Sequence, residues 1–253
     1  MTSTVQRLME RHYPPEDDVY FQFERNVQSF LTPDSVLLDA GCGREANTLR
    51  RLSPFVHQAI GLDEADFVFP GQPNLTLIKT DLHHIPLPDS CADFVIARSV
   101  VEHLDDPLTV YREFHRLLKP DGRFFLITPN RLHYAMIAAS IIPNRFHSRI
   151  VKFGEGRPEE DIFPTRYRSN TRQAIHSLAA KSGFTVRDFV YLGECPHYLV
   201  FHSWAFRLGM AYDRLTRTIC ALAPLRRWIM AELTKNPVPA NFDRDAAKLA
   251  SQD

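Results

Sequence analysis

Apolar residues fall into short blocks separated by polar, amphipathic stretches. Val36-Leu37-Leu38-Asp39 is a compact apolar run closing on Gly41-Cys42-Gly43, the form of a buried parallel strand entering a turn. Similar runs recur at 59–63, 75–79, 92–97 and 124–127. Helical spacing predicts helices over Ala46 to Leu52, near Val100 and over Pro107 to Leu118, the last stopped by Lys119-Pro120-Asp121-Gly122. After Pro129 the rhythm changes: 131–168 holds few strand signals and many aromatic, His and Arg residues. A helix over Thr171 to Ser182, ended by Gly183, precedes a strand-like alternation from Phe184 to Leu192. Residues 197–223 read as helical, and Trp228 to Thr234 as a last strand. Strands alternating with helices predict an α/β chain with a doubly wound, mostly parallel seven-stranded sheet and helices on both faces, plus a lid and a helical insertion.

This pattern divides the chain into a helical lead-in over 1–34, broken at Pro14-Pro15, a main domain over 35–235 and a flexible tail over 236–253. Within the domain, 131–170 is the expected lid, since so long a connection is uncommon without a function, and 197–223 is the helical insertion. Formal net charge is zero, so no global field attracts nucleic acid. Cys42, Cys91, Cys195 and Cys220 are far apart and share no metal-ligand spacing; His83-His84 lacks a third ligand, so no metal is expected. The polar start, the dispersed cysteines and the lack of a long apolar run predict a cytoplasmic location.

Chemistry concentrates at the predicted strand ends. Asp39-Ala40-Gly41-Cys42-Gly43 lies where open α/β sheets bind ligands, with glycines that let backbone approach closely and a helix start that favours an anionic group. Asp63 ends the next strand and can accept a pair of hydrogen bonds from ribose hydroxyls. Asp81 follows the third and can accept from an adenine amino group. Each acid could instead be a helix cap, and Gly41, Gly43 and Ala46 also satisfy the nicotinamide fingerprint GxGxxA. Together the three acids outline one adenosine-sized site.

The segments VLLDAGCG (36–43), IGLD (60–63), TDLHHIPLPDSCADFVIARSVVEHLDDP (80–107) and REFHRLLKPDGRFFLITPN (112–130) resemble the class I S-adenosylmethionine (SAM)-dependent methyltransferases, particularly the small-molecule branch with the ubiquinone-biosynthesis methylases. The resemblance implies a Rossmann-like fold and SAM as cofactor. It places Asp39, Gly41 and Gly43 at the methionyl part, Asp63 at ribose, and Asp81 with the backbone of Leu82 at adenine. Arg98 and Ser99 would pass near the methionyl group. Glu45 stands where the family often has a small residue, which would crowd the cofactor or cap the helix.

Methyl transfer from a sulfonium needs alignment first and a base only where the acceptor must lose a proton. His103, beside Glu102, is one candidate base; His133 and Tyr134 are the others, each with a plain packing role as the alternative. Tyr134, Phe146, His147, Tyr167 and Arg168 are expected to line the acceptor pocket under the lid. Trp204, Leu208, Ala211, Leu215, Ile219 and Leu222 form one apolar helical stripe flanked by Arg207, Arg214 and Arg217. This stripe either docks on the core or makes the enzyme membrane-peripheral, bringing it to a lipid-linked acceptor. The expectation is therefore methylation of a small-molecule or lipid-linked acceptor, at oxygen. A non-catalytic SAM-binding subunit and a nicotinamide oxidoreductase are the rival readings.

Overall fold

A computed structural model describes residues 3–68, 72–141 and 165–236. Its strands are β1 (Val36–Ala40), β2 (Gln58–Asp63), β3 (Leu75–Lys79), β4 (Ala92–Arg98), β5 (Leu118–Pro129), β6 (Phe184–Leu192) and β7 (Trp228–Lys235). They form one seven-stranded sheet in the order β3-β2-β1-β4-β5-β7-β6. β1 to β5 pair in parallel, and β7 runs antiparallel to both β5 and β6. The order reverses between β1 and β4, which opens a crevice beyond the C-terminal ends of those two strands.

Helices cover both faces because successive strand residues point to opposite sides. Leu37, Phe94, Ile96, Phe125 and Ile127 share one apolar cluster with Val19, Phe23 and Val27 of α2 (Val19–Gln28) and Leu49 and Leu52 of α3 (Asn47–Leu52). Leu38, Val95, Ala97, Phe124 and Leu126 share the other with α4 (Pro107–Leu117), through Val110, Tyr111, Phe114 and Leu117, and with Ile175 of the helix Arg172–Lys181. Pro107 opens α4, Asp106 caps it, and Asp106 Oδ1 accepts from the Thr109 amide.

Several expectations change. The lead-in is not set apart. Pro14-Pro15 does break it, between α1 (Ser3–His12) and α2, and Asp18 caps α2 by accepting from the Tyr20 and Phe21 amides. Yet Val19, Phe23 and Val27 are fully buried in the domain's own core. No helix forms near Val100: Ser99 takes a left-handed φ of 56°, and the chain turns with the His103 amide donating to the Val100 carbonyl. β5 starts earlier than Phe124. Ala92 faces Leu118 while Phe94 faces Arg123, so the Lys119–Gly122 stretch bulges out of the ladder.

Beyond β5 lie α5 (Tyr134–Ile141), α6 (Arg172–Lys181) and α7 (Ser203–Thr218), the last flanked by 3-10 turns at His197–Leu199 and Cys220–Leu225. α7 docks with the face opposite to the predicted stripe. Ala205, Phe206, Gly209, Asp213 and Thr216 are buried, whereas Trp204, Leu208, Leu215 and Ile219 are exposed. Phe206, small side chains and the Asp213–Arg217 ion pair, rather than the apolar stripe, hold this helix. The middle of the expected lid, with Phe146 and His147, and the tail from residue 237 lie outside the described residues. No described helix is long and apolar enough to cross a membrane.

Candidate active site

The crevice is built around the turn after β1. Gly41 and Gly43 have φ of 71° and 74°, conformations that side-chain-bearing residues rarely adopt. The Gly41 and Cys42 amides donate to the Leu62 carbonyl, which ties the turn to β2. The two glycines differ in what surrounds them. A Cβ on Gly41 would lie 2.3 Å from Val100 Cγ2, whereas a Cβ on Gly43 would meet nothing within 4 Å. Gly41 is therefore needed for packing against the segment after β4. Gly43 is the position whose missing side chain leaves open space for a ligand. Placing a branched side chain at Gly41 would strike Val100 before it reached any cofactor.

Asp63 closes β2 and braces this turn. Its Oδ2 accepts from the Gly43 amide at 2.7 Å, and its Oδ1 from the Ala65 amide at 2.9 Å. Each oxygen has a further lone pair for a hydroxyl donor. Asp81 stands beyond β3 on the same sheet edge, pairing with His83 Nδ1 at 2.6 Å and accepting the His83 amide at 2.9 Å. Those bonds to His83 hold its carboxyl below the usual range despite some desolvation. Leu82 is buried beside it. No group of three or more His, Cys, Asp or Glu among the described residues could hold a metal ion.

Asp39 is buried near the C-terminal end of β1, and its Oδ2 has no hydrogen-bond partner among the described residues. Burial pushes its carboxyl up to about 7, with Asp63 and Glu24 adding to the rise and Arg98 and Arg51 opposing it. An unpartnered buried carboxylate at a ligand edge fits a cationic donor such as the ammonium of a methionyl group. Glu45 neither caps α3 nor enters the core: it is exposed and accepts from Asn47 Nδ2 at 2.7 Å, while Ala46 holds the cap position with φ 47°.

α2 supplies side chains that sequence reasoning missed. Tyr20 shares a hydrogen bond with Ser99 Oγ at 3.0 Å, carries the Arg98 guanidinium 4.7 Å above its ring, and meets Trp228 edge-on at 5.3 Å. Trp228 Nε1 donates to Glu194 at 2.8 Å, and Glu194 pairs with Arg227. This chain of contacts links the crevice to a second pocket at the end of β5, lined by His133, Tyr134, Tyr198, Tyr212 and Arg227. The only sequence sign of Tyr20 is that Asp18 caps its helix, which says nothing of where the helix lies.

The three candidate bases differ sharply. His133 is 5% exposed, lies tilted against Tyr134 at 4.2 Å and meets Tyr212 edge-on at 5.7 Å. Its Nδ1 accepts the Ala135 amide at 3.3 Å, so Nε2 carries the ring proton and has no lone pair to offer. Burial, with Arg227 nearby, holds the ring down at about 3, so it is neutral at physiological pH. Burial raises Tyr134 and keeps its phenol protonated. His103 is half-buried on the turn after β4, next to Glu102. Glu102 itself is fixed: Thr128 Oγ1 donates to its Oε2 at 2.9 Å, and Asn170 Nδ2 donates to Thr128 at 2.7 Å. The Glu102 carbonyl also accepts the Arg166 and Tyr167 amides, which anchors the far end of the expected lid.

This strand order, with its crevice at the β1/β4 switch point and acids at three successive strand ends, defines a Rossmann-like methyltransferase fold. Residues 38–126 match the family model described as a methyltransferase domain. A Mycobacterium tuberculosis protein assigned to the SAM-dependent methyltransferases is 31% identical over 149 residues, covering 55% of this chain and 54% of its own. A Mycolicibacterium smegmatis protein of the same assignment is 32% identical over 123 residues, 47% of each chain. The solved structure of a SAM-dependent methyltransferase from Mesorhizobium loti superposes with a TM-score of 0.56 at 15% identity, covering 85% of this chain and 97% of that one. Residues 38–126 thus form a methyltransferase domain of the class I SAM-dependent type, whose cofactor is S-adenosylmethionine. The chain spans about half the length of the curated relatives it matches.

Asp39 gives the site a pH signature. The folded chain keeps a proton on Asp39 up to about pH 7, whereas the unfolded chain loses it near its ordinary value of 3.8. Unfolding therefore releases a proton between those values, and this group's contribution to stability falls as pH rises through that window. A cationic ligand group at Oδ2 would favour the ionised form, so binding of SAM with its ammonium there is expected to expel the proton. SAM affinity is expected to rise from pH 5.5 to 7.5 and then level off. Asp39→Asn should flatten that rise in a calorimetric titration series.

Proposed function

We propose that this protein transfers the methyl group of SAM to an oxygen of a small-molecule or lipid-linked acceptor. The observation that carries this reading is the convergence of an open glycine turn at Gly43, the orphaned Asp39 Oδ2 and the braced Asp63 on one crevice. Asp39, Gly41 and Gly43 would hold the methionyl part, Asp63 the ribose, and Asp81 with the Leu82 backbone the adenine. Arg98 and Ser99 would border the methionyl end, under Tyr20. When bound, SAM supplies an electrophilic methyl on a sulfonium. The chain's own part is to align the acceptor, exclude water and accept a proton. His103 is the group suited to accept it, since His133 and Tyr134 are enclosed in the pocket beyond β5. The aromatic rings that enclose these two residues border the acceptor side of the site.

The test is transfer of label from methyl-labelled SAM to fractionated metabolite and lipid extracts. Label in an organic-soluble or small-molecule fraction, released as methyl iodide by hydriodic acid as an O-methyl group is, supports the reading. Label recovered only in protein or nucleic acid, or no transfer by a chain that binds SAM, would replace it with another acceptor class or with a non-catalytic SAM-binding role.

A further inference from the structure

α7 carries an exposed apolar face that the fold does not use. Trp204 and Leu208 are each 63% exposed and Leu215 50%, with Phe201 just before the helix at 61%. They lie along one side of the helix, at i, i+4 and i+11 from Trp204. The aromatic residues are braced against one another: His202 stacks on Trp204 at 6.2 Å and meets Phe201 edge-on at 5.7 Å.

Charge on this helix is one-sided. Arg207 and Arg214 are exposed. Its one acid, Asp213, is buried and bound to Arg217 at 2.9 Å and to the Tyr13 hydroxyl at 3.2 Å. Arg217 is spent on that pair and on Asp17, so it is not part of the exposed basic set. The neighbouring α1, packed through Val5 against Phe206, adds exposed Arg7 and Arg11 against a single exposed acid, Glu10. An exposed Trp/Phe/Leu face bordered by four exposed arginines, with Glu10 the one exposed acid on these two helices, complements an anionic lipid surface, where rings settle at headgroup level and basic residues meet phosphate. A protein partner would need no such basic border.

We infer that α7 docks the chain on an anionic bilayer surface, with Trp204, Leu208 and Leu215 entering the headgroup layer and Arg207 and Arg214 contacting lipid phosphates. The opposite face of the same helix, through Gly209, Tyr212 and Asp213, walls the pocket that holds His133 and Tyr134. Docking thus sets that pocket one helix away from the membrane. The docking stands on the exposed face alone; the consequence that the acceptor is held in the membrane rests on the proposed methyl transfer.

The full chain is sedimented with phosphatidylcholine vesicles with and without 30% phosphatidylglycerol, at low and high salt, with SAM affinity measured in parallel. Binding is expected to anionic vesicles, to fall at high salt, and to weaken roughly 30-fold in Arg207→Gln/Arg214→Gln. Trp204→Ser/Leu208→Ser, on exposed positions, should abolish it, with SAM affinity unchanged in both variants. A wild-type chain that stays in the supernatant at low salt with anionic lipid in excess overturns the inference. So does a dimer in light scattering that the Trp204→Ser/Leu208→Ser variant dissolves without any vesicle binding. Loss of SAM binding in the wild type would instead strike the proposed function and leave the docking result readable.

Discussion

Asp63→Ala is expected to weaken SAM binding by roughly 10- to 150-fold, which corresponds to about 1.5–3 kcal/mol for hydrogen bonds to a charged acceptor. The carboxylate has two tasks at once. It would receive the ribose hydroxyls, and it already receives the Gly43 and Ala65 amides. Alanine removes the ligand's partner and releases the open end of the glycine turn, so the loss falls toward the larger figure. The strand is held independently by its ladders to β1 and β3, with Asp63 opposite Lys79. The thermal midpoint should therefore drop by only a few degrees, as a loss of about 1 kcal/mol would cause in a domain of this size. Calorimetry with SAM and a thermal melt on the same sample separate the two effects. Unchanged affinity in the folded variant would remove Asp63 from the site.

His103→Gln is expected to lower turnover by roughly 100-fold or more while SAM affinity stays within a factor of about two. Glutamine preserves the size and polarity of the side chain but cannot accept a proton near neutral pH. The acidic limb of the rate profile should disappear with it. His133→Gln gives the contrast. That ring's Nδ1 is already bonded to a backbone amide and its Nε2 is protonated, so this substitution should disturb packing rather than proton transfer. A His103→Gln enzyme with near-normal turnover across the pH range would return His103 to a packing role.

Much of this molecule is legible in its sequence because buried parallel strands write themselves as uninterrupted apolar runs. Leu37-Leu38, Phe94 to Ala97 and Phe124 to Ile127 each serve two cores on alternate residues, and nothing polar intervenes. Gly41, Gly43 and Asp63 are legible for a related reason: a left-handed turn and a strand-end acid leave few alternatives. What failed to read depends on distant partners. The apolar spacing at Val100, Val101 and Leu104 imitates a helix, but these side chains pack against Gly41 and the sheet from a turn that Ser99 starts. The stripe on α7 imitates a buried face, yet the side that docks is chosen by Phe206 against Val5 and Tyr13 and by Asp213 with Tyr13 and Arg217. Tyr13 and Asp213 are 200 residues apart, beyond the reach of any local pattern.

The same long-range dependence hid Tyr20. Its place over Arg98, Ser99 and Trp228 joins three segments remote from one another in the chain, and no periodicity in α2 announces it. The lead-in thereby borders the crevice beside Ser99, whose left-handed φ is strain of the kind found at binding sites.

The most direct test of the central claim is a calorimetric titration of the unmodified chain with SAM and, separately, with NAD. One SAM molecule should bind per chain, S-adenosylhomocysteine should compete for the same site, and NAD should give no heat of binding. Saturable binding of NAD, with none of SAM, would contradict the account.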